Sequence, residues 1–376
     1  MKKIKYIGYY DTIFQRRIMS PAAVDKMNYI SEKLSELGYI VEIISCGMIA
    51  DKGYKGTKEK IGYNIYVKYF RTLKKSKLKI INKVFRAYEL LVLFMYFLIC
   101  VKKEEKILVY HSLMNMKAIF WAKKIKKFKI ILEIEEIYAD VLENQKLKKK
   151  EINYLEKADY YLFSTTFLNK EINKYSKPYV IIHGVYKVEK IMTHKFNDNK
   201  IHLIYAGTFD LHKGGVKIAI QTAQYLPSNY VIHILGFGTS QQVEHVKDVI
   251  REINNKSCKS TVVYEGLKVG QEYTRFIQKC HIGLSTQVPE GNYNNSSFPS
   301  KILSYLRNGL DVISIKIPVV ENSDINSIIY YYNDSKPEAI ANMIKNIKLK
   351  NNYIGMDFLI TLDQKFKLQL DKLLKK

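Results

Sequence analysis

The chain has 376 residues, which suggests about two domains of roughly 100–200 residues each, and its 47% hydrophobic content is enough for two buried cores. A charged fraction of 26% excludes a disordered polyelectrolyte. The balance of 61 basic to 36 acidic residues, a formal charge of +25, favours anionic partners such as nucleotides, nucleic acid or an acidic bilayer surface.

The apolar stretch after the basic start ends at Tyr10, before Asp11. It is too short for a signal segment and is expected to be a strand over Lys5–Tyr10. Ser20 is placed to cap a helix with Pro21 at its first position. Ala23, Met27, Ile30, Leu34 and Leu37 share one face of that helix, and Gly38 ends it. A strand over Tyr39–Ser45 completes a βαβ unit, which should be parallel with a right-handed crossover. Strands over Asn64–Phe70, Lys106–Tyr110, Phe128–Ile134, Asp159–Ser164 and Tyr179–His183 follow. Helices over 80–102, 114–126, 146–157 and 166–174 alternate with them, the pattern of a doubly wound parallel sheet.

Within this half, Ala87–Val101 is almost wholly apolar. It is shorter than the ~20 residues of a spanning helix and contains Glu89. Lys68, Arg71, Lys74, Lys75, Lys77, Lys79, Lys83 and Arg86 precede it with no acid among them, and Lys102 and Lys103 follow. Residues 68–103 therefore have two readings: a core helix, and a peripheral contact with an anionic membrane surface.

Residues 184–200 lack periodicity and read as a linker. The alternation then restarts, with strands over His202–Ala206, Tyr230–Leu235, Thr261–Glu265, His281–Ser285, Asp311–Ile315 and Ile328–Tyr332. The intervening helices are expected at 214–225, 239–254, 270–279, 299–308 and 336–348. A last amphipathic helix at 357–374 carries Phe358, Leu362, Phe366, Leu370 and Leu373. The expected division is 1–190, 191–350, and a C-terminal helical segment 351–376 returning to the first domain. Cys46, Cys100, Cys258 and Cys280 form no CxxC or zinc spacing and suit a reducing, cytoplasmic setting.

The residues with chemical potential cluster at strand ends. Ile204-Tyr205-Ala206-Gly207-Thr208 leads through a loop to Lys213-Gly214-Gly215, where glycines admit a ligand to the backbone and a lysine supplies charge to a diphosphate. Leu235-Gly236-Phe237-Gly238 and Tyr264-Glu265-Gly266 are further glycine turns at strand ends. Phe298-Pro299-Ser300-Lys301 opens a helix with a cation in its first turn, a placement an anion would favour. In the first half, Arg16 and Arg17 lie in the loop after the first strand, His111 and Ser112 end another, and Glu133, Glu135 and Glu136 close a third. Glu133 and Glu135 should share one side of that strand. No DxD metal motif and no nucleic-acid-binding module appears.

The order Y-A-G-T-x4-K-G, L-G-x-G, Y-x-G, P-S-K-x3-Y-L-x2-G-L-x-V-I resembles the donor domain of GT-B glycosyltransferases. It is most similar to the family-4 type of bacterial capsule and exopolysaccharide assembly. Arg16-Arg17-x2-Ser20-Pro21-Ala22-Ala23 and Tyr110-His111-Ser112 resemble the same group, so the likeness covers essentially the whole chain.

The resemblance implies two Rossmann-like doubly wound parallel-sheet domains facing across a cleft, with a C-terminal helix packing back on the first. It implies a hexosyl transfer that is retaining, metal-independent and free of cofactors, with a UDP- or GDP-linked sugar as substrate. The second domain would bind this donor through Gly207, Thr208, Lys213, Gly236, Gly238, Glu265, Gly266, Ser296, Pro299, Ser300, Lys301 and Ser304. Arg16 and Arg17 would bind a polyprenyl-diphosphate-linked or other saccharide acceptor, and Lys213, His111 and Glu135 would serve the chemistry. Two departures stand out. Thr208 replaces an arginine common in the family, and Ser296 and Ser304 replace a pair of glutamates, with Glu290 a nearby acid. These departures keep a second reading open, a catalytically degenerate homologue that binds a glycan or a protein. The family setting is a cytoplasmic enzyme peripheral to the inner membrane face, and a homo-oligomer is left open.

Overall fold

The computed structural model describes residues 2–12, 17, 20–46, 56–71, 76–209, 214–256, 260–288, 292–349 and 354–376. The chain divides into two compact units, Met1–Val185 with Lys365–Lys376, and Tyr186–Gln364.

In the first unit the elements run β1 (Lys2–Gly8), α1 (Pro21–Glu36), β2 (Tyr39–Ser45), β3 (Lys58–Gly62), β4 (Ile65–Tyr69), α2 (Lys79–Cys100), β5 (Lys106–Tyr110) and α3 (Met116–Lys126). They continue with β6 (Lys129–Ile134), α4 (Tyr138–Val141), α5 (Gln145–Leu155), β7 (Tyr160–Phe163), α6 (Thr166–Ile172) and β8 (Tyr179–Ile181). The sheet order is β3-β4-β2-β1-β5-β6-β7-β8, parallel except for the β3–β4 hairpin. The hairpin turns at Asn64, a residue that tolerates its left-handed φ of 55°.

The second unit contains β9 (Ile201–Thr208), α7 (Gly215–Gln221), β10 (Tyr230–Phe237), α8 (Ser240–Asn255), β11 (Thr261–Gly266), α9 (Gly270–Lys279) and β12 (Ile282–Ser285). Then follow α10 (Ser300–Leu306), β13 (Asp311–Ile315), α11 (Pro318–Glu321), β14 (Ile329–Tyr332) and α12 (Pro337–Asn346). Its strands are all parallel in the order β11-β10-β9-β12-β13-β14. Both sheets reverse direction once, at β1/β5 and at β9/β12. At such switch points the loops diverge and leave room for a ligand at the carboxyl edge.

The final helix, α13 (Ile354–Lys375), belongs to the second unit up to Gln364 and to the first from Lys365. In the first unit Phe366 stacks on Tyr29 at 5.7 Å and Lys367 pairs with Glu36 at 2.9 Å. Lys106 donates to the Leu374 carbonyl at 2.8 Å, a cation at the negative end of the helix. No helix among the described residues is long and apolar enough to cross a membrane.

The observed elements depart from the sequence expectations at several places. The first strand begins at Lys2, because Lys2–Gly8 pairs with all of Tyr39–Ser45. Ser20 occupies the cap position of α1 without a side-chain cap bond, and only its carbonyl is engaged, by Val24 N at 3.0 Å. The helix expected over 214–225 is α-helical only to Gln221 and continues as a 3₁₀ turn over Thr222–Tyr225. The edge strand β3 and the one-turn helices α4 and α11 had no sequence signal strong enough to mark them, whereas α13 returns to the first unit as expected of the C-terminal helix.

Candidate functional site

At the switch point of the second unit, β9 pairs with β12 only at Leu203–Ile282 and Ile204–Gly283, and the two strands then splay apart. The Ala206 amide beyond this pairing is taken up by the Tyr305 hydroxyl from α10, at 2.8 Å. A buried N–H needs such a partner. Tyr305 fits because residue 283 is glycine, where a Cβ would come within 2.3 Å of the Tyr305 ring. Gly215 is held to the end of β12 in the same way. Thr286 Oγ1 donates to the Gly215 carbonyl at 2.7 Å, and a Cβ on Gly215 would lie 2.2 Å from the Thr286 carbonyl oxygen.

Lys301, in the first turn of α10, reaches this opened edge. Its Nζ lies 3.8 Å from the centre of the Tyr205 ring and 3.2 Å from where a Gly207 Cβ would stand. No carboxylate among the described residues pairs with Lys301. The ammonium therefore rests on an aromatic face beside bare backbone, available to an anion. Thr208 is exposed at the end of β9, next to this group.

Gly236 faces Gly207 across the β9–β10 ladder, and a Cβ there would lie 1.9 Å from the Gly207 carbonyl oxygen. Gly238 lies close to the side chain of Gln242, which forms a capping box with Thr239 at the start of α8. Gly266 takes a left-handed φ of 71° with open space around it, so the turn itself requires the glycine. Pro299 is the cap residue of α10, and Ser300 is exposed at its first position.

Three residues expected at the donor face have other engagements. Glu265 Oε1 lies 2.9 Å from His233 Nδ1. His233 Nε2 in turn lies 2.8 Å from His202 Nδ1, and His202 Nε2 lies 2.8 Å from Asp198. This chain lies under Phe196, which stacks on both imidazoles. Burial lowers the His233 pKa, with Glu265 partly opposing, and burial next to Lys195 lowers that of the neighbouring His281 to about 4. Ser304 shares a 2.9 Å hydrogen bond with the Tyr273 hydroxyl, and Ser296 is fully buried. Lys213, Arg16 and Glu290 lie outside the described residues.

In the first unit, Arg17 points inward. Its backbone N–H donates to Asp11 at 2.6 Å, its guanidinium donates to the Phe70 carbonyl at 2.8 Å, and it sits 4.9 Å over the Tyr69 ring. With 5% exposure it ties the loop after β1 to the end of β4. His111 is also buried, at 2% exposure, with Nε2 3.3 Å from Glu151 Oε1 and its ring against Tyr138. Burial drives its pKa to about 3, so the imidazole stays neutral. Glu151 caps α4 by accepting from the Tyr138 and Ala139 amides, each at 2.9 Å.

Glu133 and Glu135 do share a side, since Lys26 acts on both. Glu133 is fully enclosed and accepts from the Tyr6 hydroxyl. Burial raises its pKa to about 8, with Lys26 opposing. Glu135 forms an ion pair with the buried Lys26, which also donates to the Ile182 carbonyl at 2.9 Å. Beside these groups, at the β1/β5 switch point, the half-buried Tyr9 meets the buried Ser112 and Asn115, and of these three only Ser112 was marked in the sequence. Ser112 donates to the Tyr9 hydroxyl at 3.2 Å, and Tyr9 approaches Asn115 at 3.5 Å. The missed histidine chain did leave a trace, one histidine inside or beside each of three apolar strand runs: Ile201-His202-Leu203, Ile232-His233-Ile234 and Cys280-His281-Ile282.

In sequence the chain matches no family profile and no curated protein. Its fold does match solved structures over its whole length. The alpha,alpha-trehalose 6-phosphate synthase of Burkholderia multivorans superimposes with a TM-score of 0.66 at 10% identity, covering 100% of this chain and 96% of that one. The UDP-forming trehalose-phosphate synthase of Burkholderia xenovorans, in complex with glucose-6-phosphate, gives 0.65 at 9% identity, covering 100% and 99%. HepE of Anabaena, in complex with UDP and glucose, gives 0.63 at 12% identity, covering 99% and 100%. With its two doubly wound parallel sheets and its divided C-terminal helix, the chain has the GT-B fold of these glycosyltransferases.

Proposed function

We propose that the protein transfers a hexosyl group from a UDP- or GDP-linked donor, held by the second unit, to a saccharide acceptor held by the first. The observation that carries this reading is Lys301, a half-buried cation over Tyr205 at a splayed strand edge with no carboxylate partner among the described residues. In the transfer, the bond from the anomeric carbon to the diphosphate oxygen breaks and a bond to an acceptor oxygen forms. The nucleoside diphosphate leaves with both bonding electrons, and the acceptor hydroxyl passes its proton to the departing diphosphate oxygen. Charge accumulates on that diphosphate, and a fixed cation stabilises it. Lys301 supplies one such charge, and Lys213 is assigned the second on sequence grounds. The bare backbone at Gly207 and Gly236 leaves space for the nucleotide. The complex of HepE with UDP and glucose, and the UDP-forming synthase with glucose-6-phosphate, support this choice of donor and acceptor class.

The finer reading is a metal-independent, retaining enzyme of cell-surface polysaccharide assembly, of the capsule or exopolysaccharide type. It needs no cofactor. Its acceptor is carried on a polyprenyl diphosphate, and residues 68–103 meet the anionic inner face of the cell membrane. For the acceptor side, the half-buried Tyr9, held by Ser112 and Asn115, is the accessible polar group at the switch point, since Arg17 and His111 are buried. The test is a panel of UDP-, GDP-, dTDP- and ADP-sugars, read as hydrolysis or transfer. Turnover of one donor, lost in Lys301→Met and Lys213→Ala, is the expected result. No turnover and no binding across the panel would overturn the reading.

One observation favours a second reading, a non-catalytic homologue that binds a glycan or a protein. Where many family members carry two glutamates, this chain has serines without a carboxylate, and their hydroxyls are enclosed at Ser296 and bonded to Tyr273 at Ser304. Sugar transfer by the purified chain alone would dispose of it.

A further inference from the structure

Helix α2 is apolar on two opposite faces. One face, with Leu93, Tyr96 and Phe97, packs into the core of the first unit against Ile119, Phe120 and Ala122 of α3. The other runs along Ile80, Val84, Tyr88, Leu91, Met95 and Ile99, at spacings of four, four, three, four and four, and these side chains are between 43% and 73% exposed. Their number and regularity set them apart from the scattered apolar residues of an ordinary surface. A helix with two opposite apolar faces buries only one of them in its own core, and the outer one is left for a contact with something other than water.

Helix α3 extends this face. Trp121 and Ile125, one turn apart, are 63% and 60% exposed, and Lys124 lies over the Trp121 ring. The rim is cationic: Lys77, Lys79, Lys83, Lys102 and Lys103 are all exposed around α2, as are Lys117 and Lys124 on α3. From Lys77 to Lys103 the only acid is Glu89. An apolar stripe with a basic border matches an anionic bilayer, whose acyl region takes the stripe and whose headgroups take the lysines. A tryptophan at the border matches the interfacial preference of its ring.

We infer that the outer faces of α2 and α3 together form a membrane seat, which inserts its apolar side chains, Trp121 included, below the headgroups of an anionic leaflet. This deepens the membrane reading of residues 68–103 in two ways. The contact is insertion as well as charge attraction, and it includes a second helix outside that segment.

Trp121 is the only tryptophan of the chain, so its fluorescence reports the seat directly. The full-length protein is titrated with phosphatidylglycerol/phosphatidylcholine vesicles, without any sugar donor, and emission and flotation are recorded together. A blue shift of Trp121 emission, quenching by lipids brominated on the acyl chain, and residual binding in high salt are expected. Val84→Glu with Leu91→Glu, both at exposed positions, should weaken partitioning by about tenfold or more while circular dichroism and nucleotide binding stay as in the wild type. Flotation without a blue shift or acyl quenching would overturn insertion. Absence of flotation at low salt would overturn the seat and the membrane reading together. A stable dimer by light scattering, dispersed by the double variant, with no vesicle binding would assign the face to a second copy and overturn the inference. None of these outcomes bears on sugar transfer, which the donor panel tests separately.

Discussion

Replacing Gly236 by alanine puts a methyl carbon 1.9 Å from the Gly207 carbonyl oxygen and 2.9 Å from the Phe209 ring. A carbon–oxygen contact normally holds at about 3.3 Å or more, so the two strand ends would have to part by over 1 Å. They cannot do so freely. Gly236 and Gly207 are register partners, and just beyond them Phe209 N donates to the Phe237 carbonyl at 2.8 Å. Overpacking of this kind costs about 1–3 kcal/mol, and the φ of 158°, unfavourable for a residue with a Cβ, adds to it. At about 2–4 °C per kcal/mol for a unit of this size, these 1–3 kcal/mol alone should lower the melt of the second unit by roughly 2–12 °C. Gly207→Ala is the control. Its methyl would meet only the flexible end of Lys301, at 3.2 Å, so stability should change by less than about 0.5 kcal/mol while nucleotide affinity falls. Scanning calorimetry of both variants, with amide exchange on β9 and β10, makes the comparison. A Gly236→Ala melt within about 2 °C of wild type, or equal losses in the two variants, would refute the close approach of these strand ends.

Tyr205→Phe should keep nucleotide affinity within about twofold, and Tyr205→Leu should weaken it about threefold to thirtyfold, because the ring face rather than the hydroxyl supports Lys301; equal losses in the two variants, measured by calorimetric titration, would contradict this. Arg17→Ala should lower the stability of the first unit by about 1–3 kcal/mol, since the Phe70 carbonyl loses its buried donor, while UDP affinity is unchanged. Thermal melts with and without UDP test this. The buried neutral His111, with its pKa lowered to about 3, lets the unfolded chain bind a proton that the folded one refuses. Stability is therefore complete above pH 6.5 and falls by about 1.4 kcal/mol per pH unit below it, toward about pH 3. In His111→Gln the acid limb of urea-denaturation stability against pH should be shallower by one proton. Glu133 acts in the opposite sense. Its raised pKa contributes stability below pH 4.5 that is lost as pH rises through about 8, so Glu133→Gln should gain on the wild type as pH increases.

The alternation of strand and helix was readable because each element keeps its own hydrophobic period, and parallel sheets bury their strands on both faces. Tyr39–Ser45 and Asp311–Ile315 coincide with the expected spans. The edge strand Lys58–Gly62 was not readable, because its charged KEKIG sequence protects an edge and does not fill a core. At the site, the glycine turns and Lys301 were legible because turns and first-turn cations are local features. Their supports were not. Tyr205 under Lys301 and Tyr305 on the Ala206 amide depend on pairings about a hundred residues apart. Arg17 and His111 show the complementary error, since a place at a strand end gives the edge but not whether the side chain turns inward. For both, packing against aromatic neighbours, Tyr69 and Tyr138, sets the direction, and no local pattern encodes that.

Calorimetric titration of UDP and GDP into the wild-type protein and Lys301→Met tests the central claim most directly, that this lysine holds the donor diphosphate. Micromolar binding of one nucleotide is expected, weakened about tenfold to a hundredfold in the variant, as befits the loss of one hydrogen bond to a charged group. Equal affinity in the two proteins, or no binding of either nucleotide to the wild type, would contradict it.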